Sequence, residues 1–424
     1  MFRRLAGATV VVLCGLSIII HSPAGAVPPA GPTTTTPASA DDWEVAGFAR
    51  ERGIPLAQAR QRLGWQALAP DLTEALERDL AARSGGVWVD VHDGDRIKVG
   101  VAGGPDPETA AIVRRAADAV GLTDGYDLVG VRHRLDTIEA DNDWLGAELA
   151  RVNADAPATL AAGIRTDRNA VELQLPEGGT LTPAQRALVA DARQRLGERL
   201  LVGSYDGVIQ ADACAYPYCD KPLRGGVRIT NSGGCTGGFI ARSKVDDKLY
   251  QFTAGHCASL GGTDNWSTKF TDLSNHVVGP VWHWKWHGGG DMAIMRINNV
   301  PGWNPKAWVN VTNGPDTTAD STYHISSDKL SVLGMRICIT GASFGNSDCG
   351  FVTQLGVTAT YGGVTVHNLG RGSYCRTGGD SGAPMYSLHT AYGLHVAGSG
   401  CDGFYQSIRS AEVKLNVNVL HSNS

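Results

Sequence analysis

No cysteine lies between positions 27 and 213, although the 424-residue sequence carries nine. That stretch has to hold its shape by packing alone, whereas the cysteines beyond it are available for bridges. Charge is also scarce. Asp, Glu, Lys and Arg make up 19% of the residues and the formal net charge is −5, so no surface for nucleic acid is expected. The glycines at 288–290 lack the following Lys-Ser/Thr of a phosphate loop. Gly379-Asp380-Ser381-Gly382-Ala383 has alanine where the G-x-S-x-G elbow of α/β hydrolases needs glycine, which lowers a secreted esterase to an alternative. The apolar run LAGATVVVLCGLSIII is short for a membrane span, and Pro and Gly follow it rather than charges.

What surrounds that run gives it another meaning. MFRR precedes it and Ala24-Gly25-Ala26 ends it, the pattern of a secretory signal peptide over residues 1–26. The chain is therefore expected to be secreted, with no membrane span in the mature protein. Losing the signal removes Cys14 and leaves Cys214, Cys219, Cys235, Cys257, Cys338, Cys349, Cys375 and Cys401. An even number in an oxidising compartment predicts disulfides, in any of 105 pairings. Charge divides where cysteine use divides: residues 27–213 hold 19 basic and 29 acidic residues, and residues 214–424 hold 16 and 13. Two folding units of opposite sign could attract one another.

Residues 27–40, VPPAGPTTTTPASA, read as a disordered linker. Helices are expected over about 41–52 and 55–83, the second from Leu56, Ala59, Leu63, Leu68, Leu72, Leu76 and Leu80 at three-to-five-residue spacing. A repeat follows. GVWVDVHDGDRIKVGVAG, DPETAAIVRRAADAVG and YDLVGVRH read as hairpin, helix and strand, and AAGIRTDRNAVELQL, TPAQRALVADARQRLG and LLVGSYD give the same order. Asp106-Pro107 and Thr182-Pro183 are helix-start signals. This body contains no nucleophile–base pair and no metal-ligand cluster, so it reads as a structural or assisting unit. After about 214 the runs become short, β-like and rich in Gly, Thr, Ser and Asn, as in an all-β sandwich or barrel. The terminal SAEVKLNVNVLH fits a helix or a strand.

Three segments of the β region could carry chemistry together: FTAGHC with His256, GGGDMAIMRI with Asp291, and CRTGGDSGAP with Ser381. A serine hydroxyl needs an imidazole to take its proton, and the imidazole needs a carboxylate to fix its tautomer. Small residues around Ser381 let the backbone N–H groups of Gly379 and Ser381 approach a developing oxyanion. A histidine beside a cysteine, or an aspartate at a strand start, is usually structural when alone. In the order His, Asp, Ser within one exported β region, the three reinforce each other.

Those motifs, with FYQSI at 404–408, resemble the chymotrypsin-like serine proteases, in particular the secreted bacterial branch of streptogrisins and α-lytic protease. The resemblance implies an all-β double β-barrel over residues 206–424, preceded by an α+β pro-domain over 41–205 that assists folding, inhibits, and is removed by self-cleavage. It implies His256 as general base, Asp291 as its orienter, Ser381 as nucleophile, and Gly379 and Ser381 as the oxyanion hole. It also implies bridges Cys235–Cys257, Cys338–Cys349 and Cys375–Cys401, leaving Cys214 and Cys219 as a local pair. The enzyme is expected to act as a monomer on protein and peptide substrates, without metal or cofactor. No Ile-Val-Gly-Gly start is present, so release of the pro-region near 203–213 is expected instead of activation by a newly buried amino terminus.

The pattern has departures. Ile339 stands where an arginine usually pairs with the aspartate before the nucleophile, and Arg336 would share a face with Cys338 instead. The substrate strand reads Val396-Ala397-Gly398 in place of Ser-Gly-Gly or Ser-Trp-Gly, so a serine bond to the catalytic aspartate is lost. These changes favour the alternative of a weak or inactive homologue that binds peptides or surfaces. Arg376 and His395 near the primary pocket would favour an acidic residue before the scissile bond, while Asp402 would favour a basic one. In VWHWKWHGGGD, a strand would set His283 and His287 roughly 13 Å apart, too far to share a zinc ion. Trp282, Trp284 and Trp286 would then share one face, expected to be core, and the glycine turn would deliver Asp291.

Overall fold

The computed structural model describes residues 40–80, 82–154, 156, 158–205, 210–211, 221–269, 274–312 and 320–422. The expected signal peptide, the linker up to residue 39, and the pair Cys214 and Cys219 lie outside the described residues.

Two helices open the described chain, α1 (Ala40–Arg52) and α2 (Leu56–Asp79), close to the predicted spans. The apolar spacing of α2 buries Ala59, Leu63, Leu72 and Leu76, whereas Leu56, in the first turn, remains 54% exposed. Each buried leucine contributes about 1.5–3 kcal/mol of transfer free energy. Then come β1 (Ser84–Asp90), β2 (Arg96–Ala102), α3 (Pro107–Ala119) and β3 (Tyr126–Val131), and, after α4 (Leu135–Asn153), β4 (Ala161–Arg165), β5 (Ala170–Pro176), α5 (Pro183–Leu196) and β6 (Leu200–Tyr205). The repeat is real. In each copy the first two strands are antiparallel and the last runs parallel to the second, which requires the intervening helix as a crossover. Asp106 with Thr109, and Thr182 with Gln185, form the two capping boxes. Helix α4 has no counterpart in the sequence reading. Ile138, Leu145, Leu149 and Val152 place its buried stripe on one face.

Beyond β7 (Gln210–Ala211) the chain is mainly β: β8 (Val227–Thr230), β9 (Gly234–Gly237), β10 (Ile240–Ser243), β11 (Leu249–Thr253), α6 (Gly255–Gly261), β12 (Asn265–Lys269), β13 (Asn275–His287) and β14 (Gly290–Arg296). A connecting region holds α7 (Val300–Trp303), β15 (Trp308–Val311), β16 (Asp320–His324) and β17 (Ser327–Asp328). The last part holds β18 (Arg336–Thr340), β19 (Ser347–Tyr361), β20 (Val364–Gly372), β21 (Pro384–Ser387), β22 (Thr390–Ser399), β23 (Asp402–Ser407), α8 (Ile408–Leu415) and β24 (Val417–Val419). Strands β8 to β14, with β24, form one eight-stranded sheet. The order β18-β21-β22-β23-β20-β19, with β19 pairing back to β18, closes the second sheet into a barrel. Ala293 and Met295 of the first sheet pack with Val366, Leu369, Val396 and Phe404 of the second. SAEVKLNVNVLH proves to be both things in turn, a helix and then a strand.

The amino-terminal body is built onto the second barrel. Strand β4 extends it at β19, with Leu355 opposite Ile164 and Thr358 opposite Ala162. Residues of α2, β1 and β2 share a core with Ile337, Met385 and Tyr392. Glu44 of α1 is fully buried, accepting from the Tyr323 hydroxyl and the Leu388 N–H, both at 2.8 Å. Three disulfides, Cys235–Cys257, Cys338–Cys349 and Cys375–Cys401, join the residues that the resemblance implied.

The tryptophan face is a correction. Trp282 and Trp284 on β13 are 51% and 41% exposed, and only Trp286 is half-buried. Alternation puts side chains on one face but does not say whether anything covers it. Here a register shift between Val281 and His283 re-aims the outer end of the strand.

Candidate active site

Asp291, His256 and Ser381 converge between the two sheets, and all three are buried. The β13–β14 hairpin turns through the glycines and places Asp291 in the second position of β14. His256 lies in α6, immediately after Gly255. A Cβ on Gly255 would stand 1.8 Å from the Lys285 carbonyl oxygen, so only glycine lets α6 approach β13 this closely. Cys257 then ties α6 to β9 through its bridge to Cys235. Both of these sulfurs are spent in the bridge, so neither offers a thiolate to a metal beside His256.

The geometry fixes the protons. Asp291 Oδ1 accepts the His256 backbone N–H at 2.8 Å, and Oδ2 lies 2.7 Å from His256 Nδ1. A carboxylate only accepts, so Nδ1 carries the hydrogen and Nε2 keeps its lone pair. That lone pair faces Ser381 Oγ at 2.8 Å. The arrangement can pass the hydroxyl proton to the imidazole as the oxygen attacks a carbonyl. Around the serine, Thr236 donates its hydroxyl to the Gly379 carbonyl and its N–H to the Ser381 carbonyl, both at 2.8 Å.

Two residues missed in the sequence complete the site. Tyr361, the last residue of β19, donates its hydroxyl to Asp291 Oδ2 at 2.8 Å. Burial, and next the charge of Asp291, push this hydroxyl well above the ordinary tyrosine range, so it stays a donor. It supplies the bond that Val396 cannot make. Gln406 accepts the Asp291 backbone N–H at 3.1 Å. Tyr361 lies near no motif and Gln406 lies within FYQSI, but no spacing signal assigns either of them a role.

Asp380 is held by backbone N–H groups rather than by an arginine at position 339. It accepts N–H groups of Ser343 (2.8 Å), Phe344 (3.0 Å) and Thr377 (2.8 Å). Burial still raises its pKa, against the pull of those N–H groups and of His395. Arg336 does share a face with Cys338, donating to its sulfur at 3.4 Å, and its guanidinium lies 3.6 Å from Glu51 of α1.

Strand β22 carries His395, Val396 and Gly398, and the serine loop is fastened to it. The Gly382 N–H donates to the His395 carbonyl at 2.7 Å, and the His395 N–H donates to Ala383 at 2.9 Å. His395 is fully buried, with Nδ1 2.9 Å from the Tyr374 hydroxyl. Arg376 is half-buried and its N–H reaches the Gly400 carbonyl at 3.3 Å. Asp402 is engaged elsewhere, accepting Arg371 Nε at 2.5 Å.

No protein-family model matches the chain. Streptogrisin-C of Streptomyces griseus is 27% identical over 411 residues, covering 93% of this chain and 78% of its own length. Glutamyl endopeptidase 2 of the same organism is 35% identical over 181 residues, covering 43% of this chain and 87% of its own. The solved structure of a glutamic-acid-specific serine protease that uses a histidine triad in substrate binding is 29% identical; the match covers 47% of this chain and all of that one, with a TM-score of 0.40. With a relative matched at that identity over most of its length, and with a mostly β carboxy-terminal half carrying an α+β body, the chain belongs to the chymotrypsin-like bacterial serine endopeptidases of the streptogrisin and α-lytic protease branch.

Proposed function

We propose that the chain is a secreted endopeptidase, made as a pre-pro-enzyme and freed of residues 41–205 by self-cleavage, in which His256, Asp291 and Ser381 are the catalytic residues. The observation that carries this is the unbroken chain of 2.7 and 2.8 Å contacts from Asp291 through His256 to Ser381. Ser381 Oγ attacks the peptide carbonyl, His256 takes the proton, and the N–H groups of Gly379 and Ser381 receive the oxyanion. His256 then protonates the leaving amine, and water resolves the acyl-enzyme by the reverse route. The signal pattern and the three bridges support export.

Cleavage follows acidic residues in this reading. One relative is named a glutamyl endopeptidase, and His395 is the side chain here that suits the same preference. It is buried and held by Tyr374. Arg371 neutralises Asp402, the carboxylate that would have favoured basic residues. The Tyr361 hydroxyl bonds Asp291 where the serine bond is missing, which supports the active reading over that of an inactive homologue. Cleavage of a peptide library, with a Ser381→Ala control and a serine-directed phosphonylating probe, tests both levels. Equal rates after Glu and Leu would sink the acidic pocket, and an unreactive wild-type serine would sink the peptidase.

A further inference from the structure

A cavity of about 470 Å³ lies where the amino-terminal body meets the second barrel, and no residue of the candidate active site lines it. Helices α2 and α4 with strands β1 and β4 supply one side, and β19, β20 and β23 supply the other. Leu135, Ile164, Leu355 and Leu369 make its floor apolar. Glu77 of α2, with Glu139 and Asp143 of α4, also line it, and all three keep solvent exposure, so they form its rim. No lysine, arginine or histidine among the described residues lines it, and the three carboxylates have no hydrogen bond or ion pair there. Desolvation, and next the charges of Glu77, Asp143 and Asp136, raise the pKa of Glu139. Burial lowers the pKa of His367, near Asp143, so that imidazole is neutral at pH 7 and does not offset the rim.

An independent sign of a missing partner stands on the same face of α4. Asn142, next to Asp143 and one turn on from Glu139, lines the cavity and is 4% exposed. Its Nδ2 donates to the Gly356 carbonyl at 2.8 Å, while its Oδ1 is buried without a donor. A buried amide oxygen calls for an N–H or O–H. Ser407 Oγ, from the barrel side of the cavity, is also buried and unpartnered. The rim does not suit a metal ion. Among the described residues, the one group of three ligand atoms within 4.8 Å of one another is Cys235, His256 and Cys257, so the three carboxylates here cannot close on one ion. Negative charges spread around an apolar floor suit a run of methylenes that ends in ammonium groups.

We infer that this cavity binds an aliphatic diamine or polyamine, with its methylenes on the apolar floor and its ammonium groups at Glu77, Glu139, Asp143 and Asn142. Because the walls come from both bodies, the bound ligand fastens the amino-terminal body to the barrel. Spermidine is the probe, titrated by calorimetry into the full-length Ser381→Ala chain, which separates binding from the self-cleavage proposed above. The expected result is saturable binding at one site per chain, with a melting temperature that rises with spermidine concentration. Affinity should fall about five- to tenfold in Glu139→Gln/Asp143→Asn and about fivefold in Asn142→Leu. The rim variant relieves a repulsion, so its ligand-free melting temperature should be at least that of the parent, and it decides the matter even where N142L fails to fold. Calcium chloride at matched ionic strength, pentanediol and Nα-acetyl-lysinamide should each bind at least about tenfold more weakly than spermidine. Absence of saturable binding, or binding that the rim variant leaves unchanged, overturns the inference. Calcium binding as tightly as spermidine overturns it in favour of a metal site, and equal binding of Nα-acetyl-lysinamide overturns it in favour of a lysine side chain from a protein. Equal binding of pentanediol would show that the carboxylates play no part and overturns it as well.

Discussion

Replacing Tyr361 by phenylalanine deletes one hydroxyl and nothing else. Asp291 is fully buried and accepts three donors: the His256 backbone N–H, His256 Nδ1 and the Tyr361 hydroxyl. A hydrogen bond to a charged group is worth about 1.5–3 kcal/mol. Part of that loss is shared by ground state and transition state, since the hydroxyl bonds Asp291 in both. The remainder comes from looser aim of the carboxylate at the imidazole when the imidazole becomes charged. If about 1–2 kcal/mol of it falls on the transition state alone, kcat drops by about 5- to 30-fold. KM should stay within about twofold of the wild type, because the hydroxyl binds Asp291 and not substrate. Burst and steady-state kinetics on a peptide p-nitroanilide measure the split, and the rate of phosphonylation at Ser381 should fall in step with kcat. An unchanged kcat in a protein with wild-type melting behaviour, or a loss carried wholly by KM, would refute Tyr361 as the residue that positions Asp291.

Two further outcomes follow from the same contacts. Gly382 has φ +89°, and a Cβ there would lie 2.3 Å from both the Thr236 carbonyl oxygen and Thr253 Oγ1, so Gly382→Ala should displace the nucleophile and slow Ser381 phosphonylation by more than about tenfold; an unchanged rate would show the loop can yield. Glu44 has its pKa raised by burial, so docking of α1 is stabilised at pH values below the ordinary Glu range and that contribution is lost as pH rises through the raised value. In the uncleaved Ser381→Ala background, Glu44→Gln should therefore raise the melting temperature at pH 8 relative to the parent and change it least at pH 4. The reverse ordering would mean that Glu44 is held as a paired anion.

What could be read from the sequence is what short-range chemistry writes there. The two capping boxes, the strand–strand–helix–strand repeat, the glycine turn before Asp291 and the order of the His, Asp and Ser segments all lie within a few residues of their cause. The missing parts depend on distant partners. Tyr361 meets Asp291 across 70 positions of sequence, from another strand. The partners of Asp380 are backbone N–H groups, which no residue letter marks, so looking for an arginine could not find them. Trp282 and Trp284 show the converse. Their alternation is legible, but whether a face is covered depends on what folds above it. Strand β7 goes furthest in this direction. Two residues, Gln and Ala, have no periodicity and no propensity worth reading, and they acquire a meaning only from standing opposite Gly398 and Ala397. A pairing of this kind is a relation between two strands, and only the fold that joins them can single it out.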